Sequence, residues 1–175
     1  MKKKIFFVLL FSVFIRLYAS GISTNESEIS VYNEINSYSN TEYYPGVVEK
    51  TELLEKHFPE SVFINPALIL KAESFIKLGQ YSNAEQTCLR LISQMHFGSE
   101  GFSRVHYILG LSYYYVPDYE RAAEAFYKAA SIAKKENNSE YYSTAVLYGA
   151  RTYFHMNQYE KAVVPLEYVV QNGNA

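Results

Sequence analysis

The side chains best suited to nucleophilic or metal chemistry in this 175-residue chain are Cys88 and four histidines, His57, His96, His106 and His155. A thiol becomes a nucleophile when a nearby base or cation holds it as the thiolate. No histidine stands beside Cys88 in the sequence, so a buried, inert thiol is expected. Zinc needs ligands that converge, and on one helix they converge at i and i+4. The four histidines show no such pair and no His-Glu-x-x-His pattern. Glycine is sparse, and no phosphate-cradling loop occurs. Charged residues such as Glu120, Glu124, Lys134 and Lys135 are scattered in the manner of solvated helix faces. No catalytic, cofactor-binding or metal-binding residue is assigned, and no cofactor is expected. These residue types point to a protein that binds rather than catalyses.

The composition says more about binding. There are 18 Tyr and 11 Phe but no Trp. Tyrosine joins an apolar ring to a polar tip, which suits half-buried and recognition surfaces. At 49% hydrophobic and 19% charged, the chain is globular rather than disordered. A net charge of −2 offers no basic face and speaks against a nucleic-acid partner. One cysteine cannot make an internal disulfide, so packing alone must hold the fold.

The first segment stands apart. Met1-Lys2-Lys3-Lys4 precedes an apolar run from Ile5 to Ile15, then Arg16 and a close at Ala19-Ser20-Gly21. This is the layout of a secretory signal peptide, assigned to residues 1–21, and cleavage after Gly21 would leave small residues where the peptidase reads. The apolar run is short of the roughly 20 residues a spanning helix needs. The expected location is the periplasm or cell envelope of a bacterium. An uncleaved membrane anchor is the alternative reading of the same segment.

Behind the leader the chain repeats. Tyr44, Tyr81, Tyr119 and Tyr159 stand 37, 38 and 40 residues apart. Three residues after each come Val47, Ala84, Ala122 and Ala162; seven after come Thr51, Cys88, Phe126 and Leu166. Ten after come Leu54, Leu91, Ala129 and Val169. Six before come Tyr38, Phe75, Tyr113 and Tyr153; nine before come Ile35, Ala72, Gly110 and Ala150. Residues three and four apart share a helix face. Each marker tyrosine therefore opens a helix with one apolar stripe, and a partner helix precedes it. The small residues let the two helices approach, and the large ones fill the gap. Leu78-Gly79-Gln80, Val116-Pro117-Asp118 and Met156-Asn157-Gln158 break the paired helices. Pro66 opens a first helix and Pro59 closes the one before it. Such a hairpin hides one side only, so hairpins must stack.

Tyr107 to Tyr113 followed by Asp118 to Ala129 resembles a tetratricopeptide repeat. Lys77 to Ala84 and Met156 to Ala162 resemble its turn and second helix. The resemblance implies an all-α fold, a right-handed α-solenoid of antiparallel helix hairpins. Three clear units lie near 65–98, 103–136 and 143–175. A degenerate unit precedes them; its weak first helix falls with a linker in 22–41, and the array covers 42–175. The period is longer than the family's roughly 34 residues, with the extra residues in Ser99–Phe102 and Asn137–Tyr142. Pro165 should kink the last helix or mark a late start. With no capping helix after it, the last repeat should leave Val163, Val164 and Val170 exposed, or covered by a partner, a second copy or residues of a longer chain.

In this family the first helices line a concave groove. Offsets from the marker tyrosines then place Pro66, Ile69, Glu73, Ile76 and Lys77 on it, with Arg104, Tyr107, Leu111, Tyr114 and Tyr115 from the next repeat. The last repeat adds Thr144, Leu147, Arg151, Phe154 and His155. Packing between repeats is an equal alternative for Tyr114 and Tyr115. Family members that grip a C-terminal carboxylate use Lys and Asn where this chain has Ile69 and Glu73, so that activity is not implied. The implied function is a protein–protein interaction scaffold of the bacterial envelope, holding a protein or peptide segment. A glycan or peptidoglycan binder, and the helical-repeat part of a larger envelope enzyme or assembly factor, are the alternatives. Association with the envelope membrane and self-association through the last repeat are further partner expectations.

Overall fold

The structure, a computed structural model, describes residues 27–172. All regular structure among them is helical. Helix α1 covers residues 27–40. It is followed by α2 (Tyr44–His57), α3 (Ile64–Lys77), α4 (Tyr81–Gln94), α5 (Phe102–Tyr115), α6 (Tyr119–Lys135), α7 (Ser139–His155) and α8 (Tyr159–Asn172). The leader expected over 1–21 lies outside the described residues. None of the described helices is long and apolar enough to cross a membrane.

From α2 to α8 each helix packs on the next, and α3 also touches α5 while α5 touches α7. The odd-numbered helices thus form one layer and the even-numbered ones the other, an all-α solenoid of hairpins. Residues 27–40, the weakest helix in the sequence pattern, complete the first hairpin: Val31 and Ile35 share a buried cluster with Val47 and Leu54 of α2 and Ala67 of α3.

Every marker tyrosine is the first residue of an even-numbered helix. The turn before it closes the same way four times. The N–H just before the tyrosine donates to the carbonyl six residues before it: Tyr43 to Tyr38 (2.8 Å), Gln80 to Phe75 (2.8 Å), Asp118 to Tyr113 (3.0 Å) and Gln158 to Tyr153 (2.9 Å). This is the Schellman closure, which satisfies an orphan carbonyl at a helix end and needs a left-handed residue in the turn. Glu42 (φ 58°), Gly79 (φ 71°) and Asn157 (φ 58°) supply it in three of the four turns, and Pro117 stands there in the other. The α6–α7 turn uses the same device, with Asn137 left-handed (φ 55°) and the Asn138 N–H reaching Ala133 (2.9 Å). Asp118 and Asn138 then cap α6 and α7, accepting from the N–H groups of Arg121 and Tyr141.

The long period has two sources. Loops 58–63 and 95–101 lengthen the first two intervals, and α6 and α7, at 17 residues each, lengthen the third. Pro165 does not delay α8, which runs through it from Tyr159. Pro66 sits in the first turn of α3, which begins at Ile64.

In the α5–α6 hairpin helix separation is set where nine-before meets seven-after. The residues at these two positions are Ile35 and Thr51, Ala72 and Cys88, Gly110 and Phe126, and Ala150 and Leu166. The largest partner, Phe126, is fully buried and goes with the smallest, Gly110. A Cβ added at Gly110 would lie 2.6 Å from two atoms of that ring. Gly110→Ala gains about 1 kcal/mol of helix propensity but overpacks the core at a cost of about 1–3 kcal/mol. The expected outcome in urea unfolding is a lower midpoint for Gly110→Ala in the wild type. In a Phe126→Leu background, which copies the Ala150–Leu166 pair, the same change should raise the midpoint. A rise in both backgrounds would mean the helices are not held apart by this contact.

Candidate binding groove

The odd-numbered helices line two adjoining clefts that share Leu70. The larger, about 660 Å³, lies toward their C-terminal ends: Ser39 and Asn40 of α1, Glu73 and Lys77 of α3, Tyr107, Leu111 and Tyr115 of α5, and Tyr148 of α7. Tyr44 and Tyr81 close it from the even-numbered layer. The second, about 560 Å³, lies toward the N-terminal ends, with Tyr32, Asn36, Pro66, Ile69, Arg104 and Tyr141. Between them Arg104 makes a bidentate ion pair with Glu73, bridging α3 and α5. That pair orients both charges and leaves Lys77 as the exposed cation of the larger cleft.

Aromatic rings build the walls. Tyr115 stacks on Tyr81 with ring centroids 5.1 Å apart, and Tyr32 stacks on Phe63 at 4.5 Å. Tyr107 packs edge-on against Tyr141 and Tyr148. Burial first, and the neighbouring Tyr148 second, push the Tyr107 phenol up. Burial also raises Tyr114 and Tyr141. All three phenols are therefore neutral at physiological pH.

The residues expected on the groove divide by place. Glu73, Lys77, Arg104, Tyr107, Leu111 and Tyr115 line the clefts. Ile69 also borders the smaller one but is buried in the main core, so its contribution is a floor rather than a contact. Tyr114 packs between repeats against Phe126 and Tyr148, and its hydroxyl lies 2.8 Å from His155 Nε2. Leu147, Arg151 and Phe154 are exposed but border neither cleft. Tyr32, Asn36, Ser39 and Asn40 of α1 and Tyr141 and Tyr148 of α7 also line the clefts, at positions that the repeat offsets do not name. The Val31, Ile35, Tyr38 spacing, a helical stripe, is the signal that would have found α1.

The side chains capable of chemistry lie elsewhere. Cys88 is fully buried in α4, and burial, with the Glu73 charge adding, pushes its thiol up. Its protonated form is no nucleophile. His57 and His96 are exposed at helix ends. Among the described residues no three His, Cys, Asp or Glu side chains gather to hold a metal ion.

Neither a family model nor a curated protein matches the chain. Among solved structures, one described as MamA MSR-1 C2 is similar at 14% identity and a TM-score of 0.47, covering 81% of this chain and 93% of that one. The helix hairpins, their common turn and their stacking are what make this a tetratricopeptide-like helical repeat.

His106 reports the register. It stands thirteen residues before its marker tyrosine, where the neighbouring repeats place buried Leu68 and Val146. It packs edge-on against Phe102 at 5.0 Å. Burial, with the Lys128 charge adding, pushes its imidazole down from 6.5 to about 4. The unfolded chain then binds the extra proton between these values, so stability is full above pH 6.5 and falls as pH drops toward 4. His106→Leu should flatten that part of the pH–stability profile measured by urea unfolding. An unchanged slope would show that His106 is solvated.

Proposed function

We propose that this chain is an exported interaction scaffold whose groove holds an extended segment of another protein. A tetratricopeptide-like helical repeat is a protein-interaction scaffold in general form. The reading is supported chiefly by how the two clefts are lined. A helical wall has spent its backbone N–H and C=O groups internally, so it can recognise only with side chains. An extended segment brings unpaired backbone groups of its own, which must find donors and acceptors when covered. Ser39, Asn40, Lys77 and the tyrosine hydroxyls can meet them, while Leu111 and the Tyr115 ring offer an apolar seat between. A docked helix would leave those polar groups without partners. Rings of this kind are the usual anchors of binding energy. Export is supported by the layout of residues 1–21.

The test is a benzoylphenylalanine photo-crosslinker at Tyr115 in cells, with Ser131 on the exposed side of α6 as the control position. A discrete partner should be captured from Tyr115 and not from Ser131. The mapped segment, as a synthetic peptide, should bind the protein, and Leu111→Glu should weaken it at least about tenfold, the equivalent of 1.4 kcal/mol. Leu111 is only half buried, so folding survives the change. Equal capture at both positions, or a Leu111→Glu affinity equal to wild type, would remove the groove from the function. Binding of a saccharide in place of any peptide would install the glycan reading.

A further inference from the structure

The same repeat position can be followed from one hairpin to the next. Twelve before the marker tyrosine, Ile69 is buried and Tyr107 is packed against Tyr141 and Tyr148 of the following hairpin. The third residue of the series, Leu147, is 54% exposed. Five before it, Tyr114 is covered by Tyr148 and His155, whereas Phe154 is 59% exposed. The even-numbered helices agree. Ala123 and Ala130 of α6 are each 4% exposed beneath the next hairpin, while their counterparts Val163 and Val170 on α8 are 47% and 76% exposed. Positions that the fold covers elsewhere are thus open on the α7–α8 face, and there they carry Leu, Phe and two Val.

The opposite face of the array is different. α1 turns Ser30, Asn33 and Ser37 outward around a single exposed apolar residue, Ile29, and the Glu34–Lys50 ion pair ties α1 to α2 beside them. Head-to-tail stacking would set apolar residues against these polar ones and bury little apolar area. Two α7–α8 faces set against each other bury all of theirs, and a face that pairs with itself does so about a twofold axis. Charge fits the same arrangement. Arg151 stands eight before its tyrosine, the place from which Glu73 reaches the next hairpin's Arg104. It makes no ion pair among the described residues, and neither does Glu167, which lies between Val163 and Val170 on α8.

We propose that the α7–α8 face is a self-association surface. Two copies meet there about a twofold axis, each burying the other's Leu147, Phe154, Val163 and Val170, with Arg151 of each copy facing Glu167 of the other. This assignment does not depend on the groove reading.

Cys88 is the single cysteine and is buried, so an introduced thiol reports alone. In the full chain, Val163→Cys treated with a short bismaleimide should give a covalent dimer. Asn33→Cys on the polar face should give none. Adding Phe154→Glu to Val163→Cys should reduce the dimer at least about tenfold, a loss of 1.4 kcal/mol. At dilutions where both chains are monomeric the circular-dichroism melts should coincide, because Phe154 is exposed within one copy. Arg151→Glu should weaken the dimer, and Arg151→Glu with Glu167→Arg should restore it, which a general loss of structure could not do. The proposal is overturned by a Val163→Cys chain that stays monomeric or couples only to a foreign protein. It is equally overturned by a mixed Val163→Cys/Asn33→Cys product, which would mean head-to-tail stacking, or by a dimer that survives Phe154→Glu.

Discussion

A pair of antiparallel helices closes until its bulkiest facing side chain stops it, and in the α5–α6 hairpin that stop is the Phe126 ring against Gly110. The volumes there are complementary: as Phe126 grows, its partner Gly110 shrinks. The equivalent positions hold smaller sets, Ala72 and Cys88 or Ala150 and Leu166. The common turn and the buried stripe along the even-numbered helices give the hairpins the same form. That regularity lets successive hairpins stack in register, which in turn carries the odd-numbered helices side by side and creates the clefts. Changing one member of a pair alone would shift a whole hairpin, because each hairpin contacts only its neighbours and nothing else can absorb the error.

The turns add a second regularity that does not depend on side-chain volume. The α6–α7 turn between hairpins closes on Ala133, whereas in the four turns inside hairpins the residue whose carbonyl closes the Schellman turn is aromatic, Tyr38, Phe75, Tyr113 or Tyr153. Its backbone ends the helix while its ring packs at the hairpin's end. Gly79 and Asn157 meet the left-handed requirement at little cost, whereas Glu42 pays the Cβ penalty. The first hairpin therefore departs from the pattern twice, in this residue and in the Ile35–Thr51 pair, which places the large member on the first helix and the small one on the second. These departures are why α1 is faint in sequence even though Val31 and Ile35 bury as firmly as residues of the later repeats.

The legible and the illegible parts of the molecule differ in how many helices decide them. Tyr44, Tyr81, Tyr119 and Tyr159 begin their helices because a fixed offset between turn and stripe is a property of one hairpin. The groove is a property of three hairpins at once. A residue twelve before the tyrosine sits at the border between the open face and the next odd-numbered helix. Whether it is seen by solvent is settled by the neighbour's side chains. Ile69 is covered, Tyr107 is half covered by Tyr141 and Tyr148, and Leu147 has no following hairpin over it among the described residues. One offset therefore names a floor, a wall and an open surface, and no periodicity within a single helix separates them. Tyr148, eleven before its tyrosine, reaches the groove because it leans toward α5 rather than away from it.

Register also decides what becomes of the reactive side chains. Cys88 occupies the seven-after position and His106 the thirteen-before position, both of which the repeat buries. Desolvation then disfavours thiolate and imidazolium alike, raising one group and lowering the other, so the thiol is held in its non-nucleophilic form and the imidazole stays neutral against Phe102 inside the repeat. The phenols that line the groove are driven the same way, and neutral phenol remains a good hydrogen-bond donor and acceptor. Burial thus acts with opposite effect on the two sets of residues. It silences those whose use would depend on ionisation and leaves intact those whose use depends on hydrogen bonding and ring contact. What the buried offsets of this repeat preserve is therefore hydrogen bonding and ring contact rather than ionisation.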